Sequence, residues 1–150
     1  MKLIAMAMVL GTLLGCTDED NQGGNTSELE GQREQFEAEV GDSYTFTWRY
    51  ACGECLAETN RPVHVTVVDN AITAMVDLET QAPVTAESRG NIRTIAALFD
   101  YVEAAEAGSV ATIDVTYDPT LGYPATLSVD AIAEAADDEF GLTISNVVEQ

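Results

Sequence analysis

The most restrictive feature of this sequence is a strict alternation between residues 44 and 50. The stretch reads Tyr-Thr-Phe-Thr-Trp-Arg-Tyr, so Tyr44, Phe46, Trp48 and Tyr50 share one face of a β-strand. Four aromatic rings on one face form a large apolar surface. We predict that this face belongs to the core and packs against a helix. The alternative is an exposed aromatic strip that binds a carbohydrate or a peptide.

Residues 62–78 predict a β-hairpin around Asp69-Asn70, two residues that tolerate positive φ. A slip by one residue would mix apolar and polar side chains, so the sorting of the two faces supports one register. That register pairs Val67 with Ile72, Val65 with Ala74 and Val63 with Val76 on one face, and Thr66 with Thr73 and His64 with Met75 on the other.

Two helices flank this part of the chain. The first has Ser27 and Glu30 as a capping box, an apolar-biased stripe and a terminal Gly41. The second begins after Asn91 or Thr94 and ends at Gly108. The stripes consist of Leu29, Arg33, Phe36 and Val40 in the first helix and of Ile92, Ile95, Leu98, Phe99 and Val102 in the second.

Three more strands follow the second helix. The apolar positions that indicate them are Ala111, Ile113, Val115 and Tyr117; then Ala125, Leu127 and Val129; then Phe140, Leu142, Ile144 and Val148. The predicted order is αβββ-αβββ, without a residue-level repeat. This order predicts an α+β domain over residues 27–150, with an antiparallel sheet of about six strands and both helices on one face.

The N-terminus has the pattern of a bacterial lipoprotein signal. Lys2 precedes an apolar run that ends in Leu-Leu-Gly and Cys16. The run is shorter than the ~20 residues that span a bilayer. We therefore predict a signal peptide over residues 1–15, a lipid on Cys16, and a flexible polar tether over residues 16–26. Several acyl chains on one cysteine give stable anchoring. The alternative is an ordinary secretory signal that is cut elsewhere.

The charge balance excludes some partners. The chain has 26 Asp and Glu against six Lys and Arg, a formal net charge of −20, and loss of Lys2 with the signal would leave −21. Nucleic-acid binders carry basic patches, so we expect no nucleic-acid partner. Thr17 follows the lipidated cysteine where an Asp would favour the inner membrane. We therefore expect the outer membrane, with the lipid as the membrane contact and an envelope protein or ligand as a further partner.

Cys52 and Cys55 form an even pair after the lipidated cysteine. Outside the cytoplasm such a pair most simply forms a disulfide. A redox C-x-x-C motif would need a helix N-terminus to stabilise the thiolate. No helical pattern follows this pair, and Glu54 disfavours a thiolate. A zinc site would use both cysteines with His64 and a carboxylate.

The remaining candidate site is a group of acidic residues in the C-terminal third of the chain. Carboxylate oxygens suit Ca²⁺, but there is no D-x-[DN]-x-[DN]-G loop. His64 is the only histidine and no nucleophile elbow is present, so we expect no cofactor and lean against an enzyme. The acidic residues of the C-terminal third are Asp118, Asp130, Asp137, Asp138 and Glu139.

Several short stretches follow one another along the chain: residues 44–55, 68–72, 94–99, 117–118 with 122–124, and 137–139. In this order they resemble a family of uncharacterised bacterial lipoproteins and secreted proteins, domain of unknown function 6174. The resemblance spans roughly residues 36–148 and implies no activity. Two functions remain: a non-enzymatic binding module at the envelope, or an envelope redox or metal-dependent factor.

Overall fold

A computed structural model describes residues 23–135 and 138–150 of the chain, with side chains from Ser27 onward. The element order is αβββ-αβββ, as predicted. The elements are α1 (Gly23–Glu39), β1 (Tyr44–Cys52), β2 (Val63–Val68), β3 (Ala71–Asp77), α2 (Ile95–Ala104), β4 (Thr112–Tyr117), β5 (Pro124–Asp130) and β6 (Glu139–Glu149).

The six strands form one antiparallel sheet in the order β3-β2-β1-β6-β5-β4. The two halves of the chain therefore meet where β1 pairs with β6. Phe36 of α1 packs edge-on against Tyr44 of β1 at 5.3 Å between ring centroids, and the Tyr44 hydroxyl accepts a hydrogen bond from the Ile95 N–H of α2. Both helices thus cover the aromatic face of β1, and the fold class predicted from the sequence is confirmed.

Three of the four alternating aromatic residues of β1 are buried in the core, as predicted. Tyr44, Phe46 and Trp48 are at most 2% exposed, and they form the centre of the core with the apolar stripes of both helices. Tyr50 is only half-buried because it lies near the end of the strand. The prediction of a buried face is therefore correct for Tyr44, Phe46 and Trp48, whereas Tyr50 lies at an opening in the protein surface.

The start of the first helix differs from the prediction. Helix α1 begins at Gly23, so Ser27 lies inside it and the capping box of Ser27 and Glu30 is wrong. A nucleated helix gains one hydrogen bond per added residue, which allows it to extend beyond the best capping side chain. In α2 the prediction of Thr94 is correct, because its hydroxyl accepts the Ala97 N–H at 3.1 Å.

The hairpin of β2 and β3 has the predicted turn but not the whole predicted register. Asp69 and Asn70 both have positive φ, and Val67 pairs with Ile72. A bulge then shifts the pairing by one residue. Val65 lies opposite Met75, Thr66 opposite Ala74, His64 opposite Val76 and Val63 opposite Asp77. Because β3 contains one extra residue at the bulge, the side chains in the rest of that strand lie on the faces opposite to those predicted.

A second bulge, in β6, makes the prediction for the last strand partly wrong. Asn146 in β6 has φ of 53°, and the pairing with β1 shifts there. Leu142 and Ile144 are buried as predicted, but Val148 is 56% exposed and Val147 packs against the core instead. In the described part of the chain, no helix has the length and apolar character needed to cross a membrane.

Candidate functional site

An aromatic cleft opens at the end of the sheet where β1 finishes and β6 begins. Its volume is about 180 Å³, and its aromatic residues are Trp48, Tyr50, Tyr101 and Phe140. The Tyr50 and Phe140 rings stack with centroids 5.2 Å apart. Ligand pockets for drug-sized molecules usually measure about 300–1,000 Å³. The cleft therefore suits one ring or side chain and not a whole cofactor.

Gly90 forms the wall beside Tyr50. It has φ of 74°, and a Cβ built on it would lie 2.3 Å from Cγ of Tyr50. Only glycine combines this left-handed conformation with such a close approach of the backbone to a ring. The segment between β3 and α2 therefore lies directly on the aromatic residues of the cleft.

One cationic group lines the cleft. The Arg93 guanidinium lies 4.6 Å from the centroid of the Tyr101 ring, in the range of a cation–π contact. Among the described residues, Arg93 makes no ion pair. In a chain of net charge −20, such a guanidinium can contribute its charge to a ligand.

Two phenol groups add hydrogen-bonding capacity. Burial raises the pKa of Tyr101, and the positive charge of Arg93 opposes that rise. Burial and the neighbouring Tyr101 raise the pKa of Tyr50. Both hydroxyls therefore stay protonated at neutral pH and can donate a hydrogen bond.

The floor of the cleft is held by a buried polar network. The Trp48 indole N–H donates to the carbonyl oxygen of Arg89 at 2.9 Å, and the Arg89 side chain donates to the Asp77 carboxylate at 2.7 Å. Hydrogen bonds from the backbone N–H groups of Thr80 and Glu79 and the Arg89 charge hold the pKa of Asp77 at about 2, although burial opposes the shift. The segment that carries Gly90 and Arg93 is thereby attached to the sheet.

A larger hollow, of about 410 Å³, lies between the two helices and the β2–β3 turn. Its cation, Arg33, is already neutralised by Asp100 at 2.7 Å and Glu103 at 3.2 Å. The guanidinium also lies over the Phe99 ring. The aromatic cleft is the better candidate because its arginine has no such carboxylate partner among the described residues.

Sequence reasoning placed Tyr50 and Phe140 on strands but did not connect them with Arg93 or Tyr101. These residues come from three separate segments, and only the tertiary fold brings them together. For Arg93 one signal was available, since arginine is rare in this acidic sequence. Tyr101 lies beside the buried stripe of α2, where a tyrosine gives no distinct pattern.

The predicted disulfide pair is brought together. The sulfur atoms of Cys52 and Cys55 lie at disulfide-bonding distance, with their Cα atoms 5.5 Å apart. The pair lies at the end of β1, and the Cys52 N–H donates to the Asn60 side chain at 3.4 Å. The predicted lipidation site, Cys16, lies outside the described residues.

The alternative metal sites are not assembled from residues that the structure describes. Within residues 23–135 and 138–150, no three His, Cys, Asp or Glu side chains come together to hold a metal ion. His64 lies on β2 opposite Thr47, on the face away from the helices. Asp137, one of the acidic residues considered as an alternative calcium site, is outside the described residues.

Two of the other acidic residues, Asp118 and Asp138, accept hydrogen bonds from the local backbone. The Asp118 carboxylate accepts the N–H groups of Thr120 and Leu121 at 3.0 and 2.8 Å, which is ordinary turn chemistry. The Asp138 carboxylate accepts the Ile132 N–H. Asp130 lies opposite Glu139 in the sheet.

Residues 28–149 match the model of a family of unknown function, DUF6174. No curated protein and no solved structure matches the chain.

Proposed function

The chain belongs to the family of unknown function DUF6174, and we propose that its domain is a non-enzymatic binding module anchored in the cell envelope. The aromatic cleft carries this proposal. It combines ring surfaces for stacking, phenol hydroxyls for hydrogen bonds, and the Arg93 charge. Its ligand presents one ring-sized group with a negative charge, because stacking and a guanidinium together favour that combination.

The place of action follows from the N-terminal pattern. Cys16 carries the lipid, and the outer membrane is the proposed location. Helix α1 begins at Gly23, so seven residues, 16–22, connect the lipid to the domain. An extended chain of that length spans at most roughly 25 Å. The domain thus stays close to the membrane surface and binds ligands that occur there.

Tryptophan fluorescence tests the cleft directly, because Trp48 is the only tryptophan of the chain and lines the cleft. The full chain is titrated with two matched pairs of probes: glucuronate and methyl glucoside, and N-acetyltyrosine and N-acetyltyrosinamide. We expect saturable changes in Trp48 emission with the carboxylate member of at least one pair and a weaker response to its neutral partner.

The variant Arg93→Gln should lose the preference for the carboxylate probe. Arg49→Gln is the matched control, since Arg49 lies exposed on the helix-free face of the sheet. An Arg93→Gln chain that retains the preference, or a wild-type chain whose Trp48 emission responds to none of the four probes, contradicts the proposed ligand class.

A further inference from the structure

The two edges of the sheet differ in how they are protected. Beyond β3, residues 82–84 cover the strand: the Asp77 N–H donates to the Ala82 carbonyl at 2.9 Å and the Val84 N–H to that of Met75 at 3.1 Å. Pro83 lies in this segment and forms a bridge with Val76. A proline and a bulge are common means of blocking an edge strand.

The other edge, β4, is not covered by a further segment among the described residues, and its pairing with β5 is regular from Thr112 to Thr116, with one register shift before Tyr117. Within the described part of the chain it pairs with β5 alone and stands last in the sheet. Its sequence from Thr112 to Tyr117 contains no proline and no lysine. In an antiparallel pair, alternate residues direct their N–H and C=O groups away from the partner. Strand β4 therefore presents a row of backbone donors and acceptors on its outer side.

A small acidic pocket adjoins this edge on the helix side. It measures about 180 Å³ and is lined by Glu28 of α1, Glu106 after α2, and four residues of β4: Ile113, Asp114, Val115 and Tyr117. Asp114, on the same strand, adds a third exposed carboxylate at the edge. No basic residue lines this pocket among those described.

The pocket also contains a phenol without a described partner. The Tyr117 hydroxyl oxygen is buried and accepts or donates no hydrogen bond within the described residues. Burial, together with Glu106 and Glu28, raises the pKa of Tyr117 to about 12. Burial and Glu28 likewise raise the pKa of Glu106. A cation placed here would relieve the mutual repulsion of the two carboxylates.

We propose that β4 is a docking edge for an extended basic segment of a partner protein. The segment adds a seventh strand through backbone hydrogen bonds, and a Lys or Arg on its helix side enters the pocket between Glu28 and Glu106. A second copy of this chain does not fit as the occupant. Pairing two β4 edges would bring both sets of Glu28, Glu106 and Asp114 together in molecules of net charge −20.

The probe is a blocked hexapeptide, Val-Thr-Arg-Thr-Val-Thr, whose alternation matches that of β4. Its matched control has Glu in place of Arg. Both are titrated into the full-length, ¹⁵N-labelled chain at low ionic strength while amide chemical shifts are followed. We expect the largest shift changes at residues 112–117, with the Arg peptide binding more tightly than the Glu peptide and losing affinity as salt is added.

Variants distinguish the acidic pocket from general attraction to an acidic protein. The double variant Glu28→Gln with Glu106→Gln should lower the affinity for the Arg peptide by roughly fivefold or more. Glu58→Gln with Glu87→Gln removes the same charge from exposed loops and should leave the affinity within about twofold. Equal losses in both double variants would overturn the charge argument.

Three other outcomes also refute the proposal. One is equal binding of the two peptides, and another is shift changes centred on β3 or on the helix-free face. The third is self-association of the free chain through β4, detected as concentration-dependent shifts at residues 112–117, which would make a second copy the occupant.

Discussion

Asp77 is the residue that fixes the segment between β3 and α2. Its side chain is fully buried, accepts the N–H groups of Glu79 and Thr80 at 2.8 and 2.9 Å, and pairs with Arg89. Because Arg89 in turn holds Trp48 through its carbonyl oxygen, one carboxylate links the loop to the floor of the cleft.

The pKa of Asp77 leads to a pH-dependent prediction. Its folded pKa, about 2, lies below the ordinary value of 3.8, so ionised Asp77 stabilises the fold above about pH 4 and this contribution is lost as the pH falls toward 2. We expect the difference in unfolding free energy between wild type and Asp77→Asn to shrink over that range. Urea titrations from pH 6 to pH 2 measure it, with Glu58→Gln as an exposed control.

Gly90 makes a prediction that separates backbone strain from a side-chain clash. Gly90 and Gly41 have nearly equal φ, 74° and 76°, but a Cβ meets the Tyr50 ring at Gly90 and nothing within 4 Å at Gly41. Gly41→Ala should lower the free energy of unfolding by about 1–2 kcal/mol, and Gly90→Ala by a further ~1–3 kcal/mol. Equal losses in urea titrations would show that the Tyr50 contact is unimportant.

At the scale of elements, the bulge in the β2–β3 hairpin decides which side chain faces the core. The unshifted register puts Ala74 opposite Val65, whereas the structure puts Met75 there and leaves Ala74 exposed. Met75→Asp should therefore lower the free energy of unfolding by about 1–3 kcal/mol, and Ala74→Asp should change it by less than about 0.5 kcal/mol. Thermal unfolding of both variants checks this. A lower thermal midpoint for Ala74→Asp than for Met75→Asp would favour the unshifted pairing.

The disulfide pair is a local link at the end of β1. The loop between Cys52 and Cys55 is so short that a double serine variant should lose at most about 2 kcal/mol of stability and keep its fold. Rapid acid quench, alkylation and mass spectrometry should find the pair oxidised in the cell. A large reduced fraction would instead favour the redox alternative.

At the scale of the whole molecule, the proposed location rests on a single N-terminal residue, Cys16. If the proposed acyl chains on Cys16 are the anchor, Cys16→Ser should release the protein from membranes and abolish lipid labelling. Fractionation of cells followed by immunoblotting measures the release, with the double serine variant at Cys52 and Cys55 as the matched control that stays attached. Membrane retention of Cys16→Ser would contradict the anchor.

Local patterns in the sequence determined the elements and the fold class. The period of two in β1 and the stripe of α2 depend only on which neighbouring residues are apolar, so the amino-acid order alone predicts them. The Asp69-Asn70 turn and the Thr94 cap likewise rest on the chemistry of a few adjacent residues. The buried faces of β1 and α2 follow from these patterns.

The tertiary structure decided what depends on distant residues. The two bulges shift the register of β3 and β6 because pairing with the neighbouring strand and access to the core outweigh simple alternation. The strand order joins β1 to β6, and this pairing brings Phe140 beside Tyr50 while the Asp77–Arg89 pair holds Gly90 and Arg93 above them. The cleft exists only through such long-range contacts, so no local pattern could have predicted it.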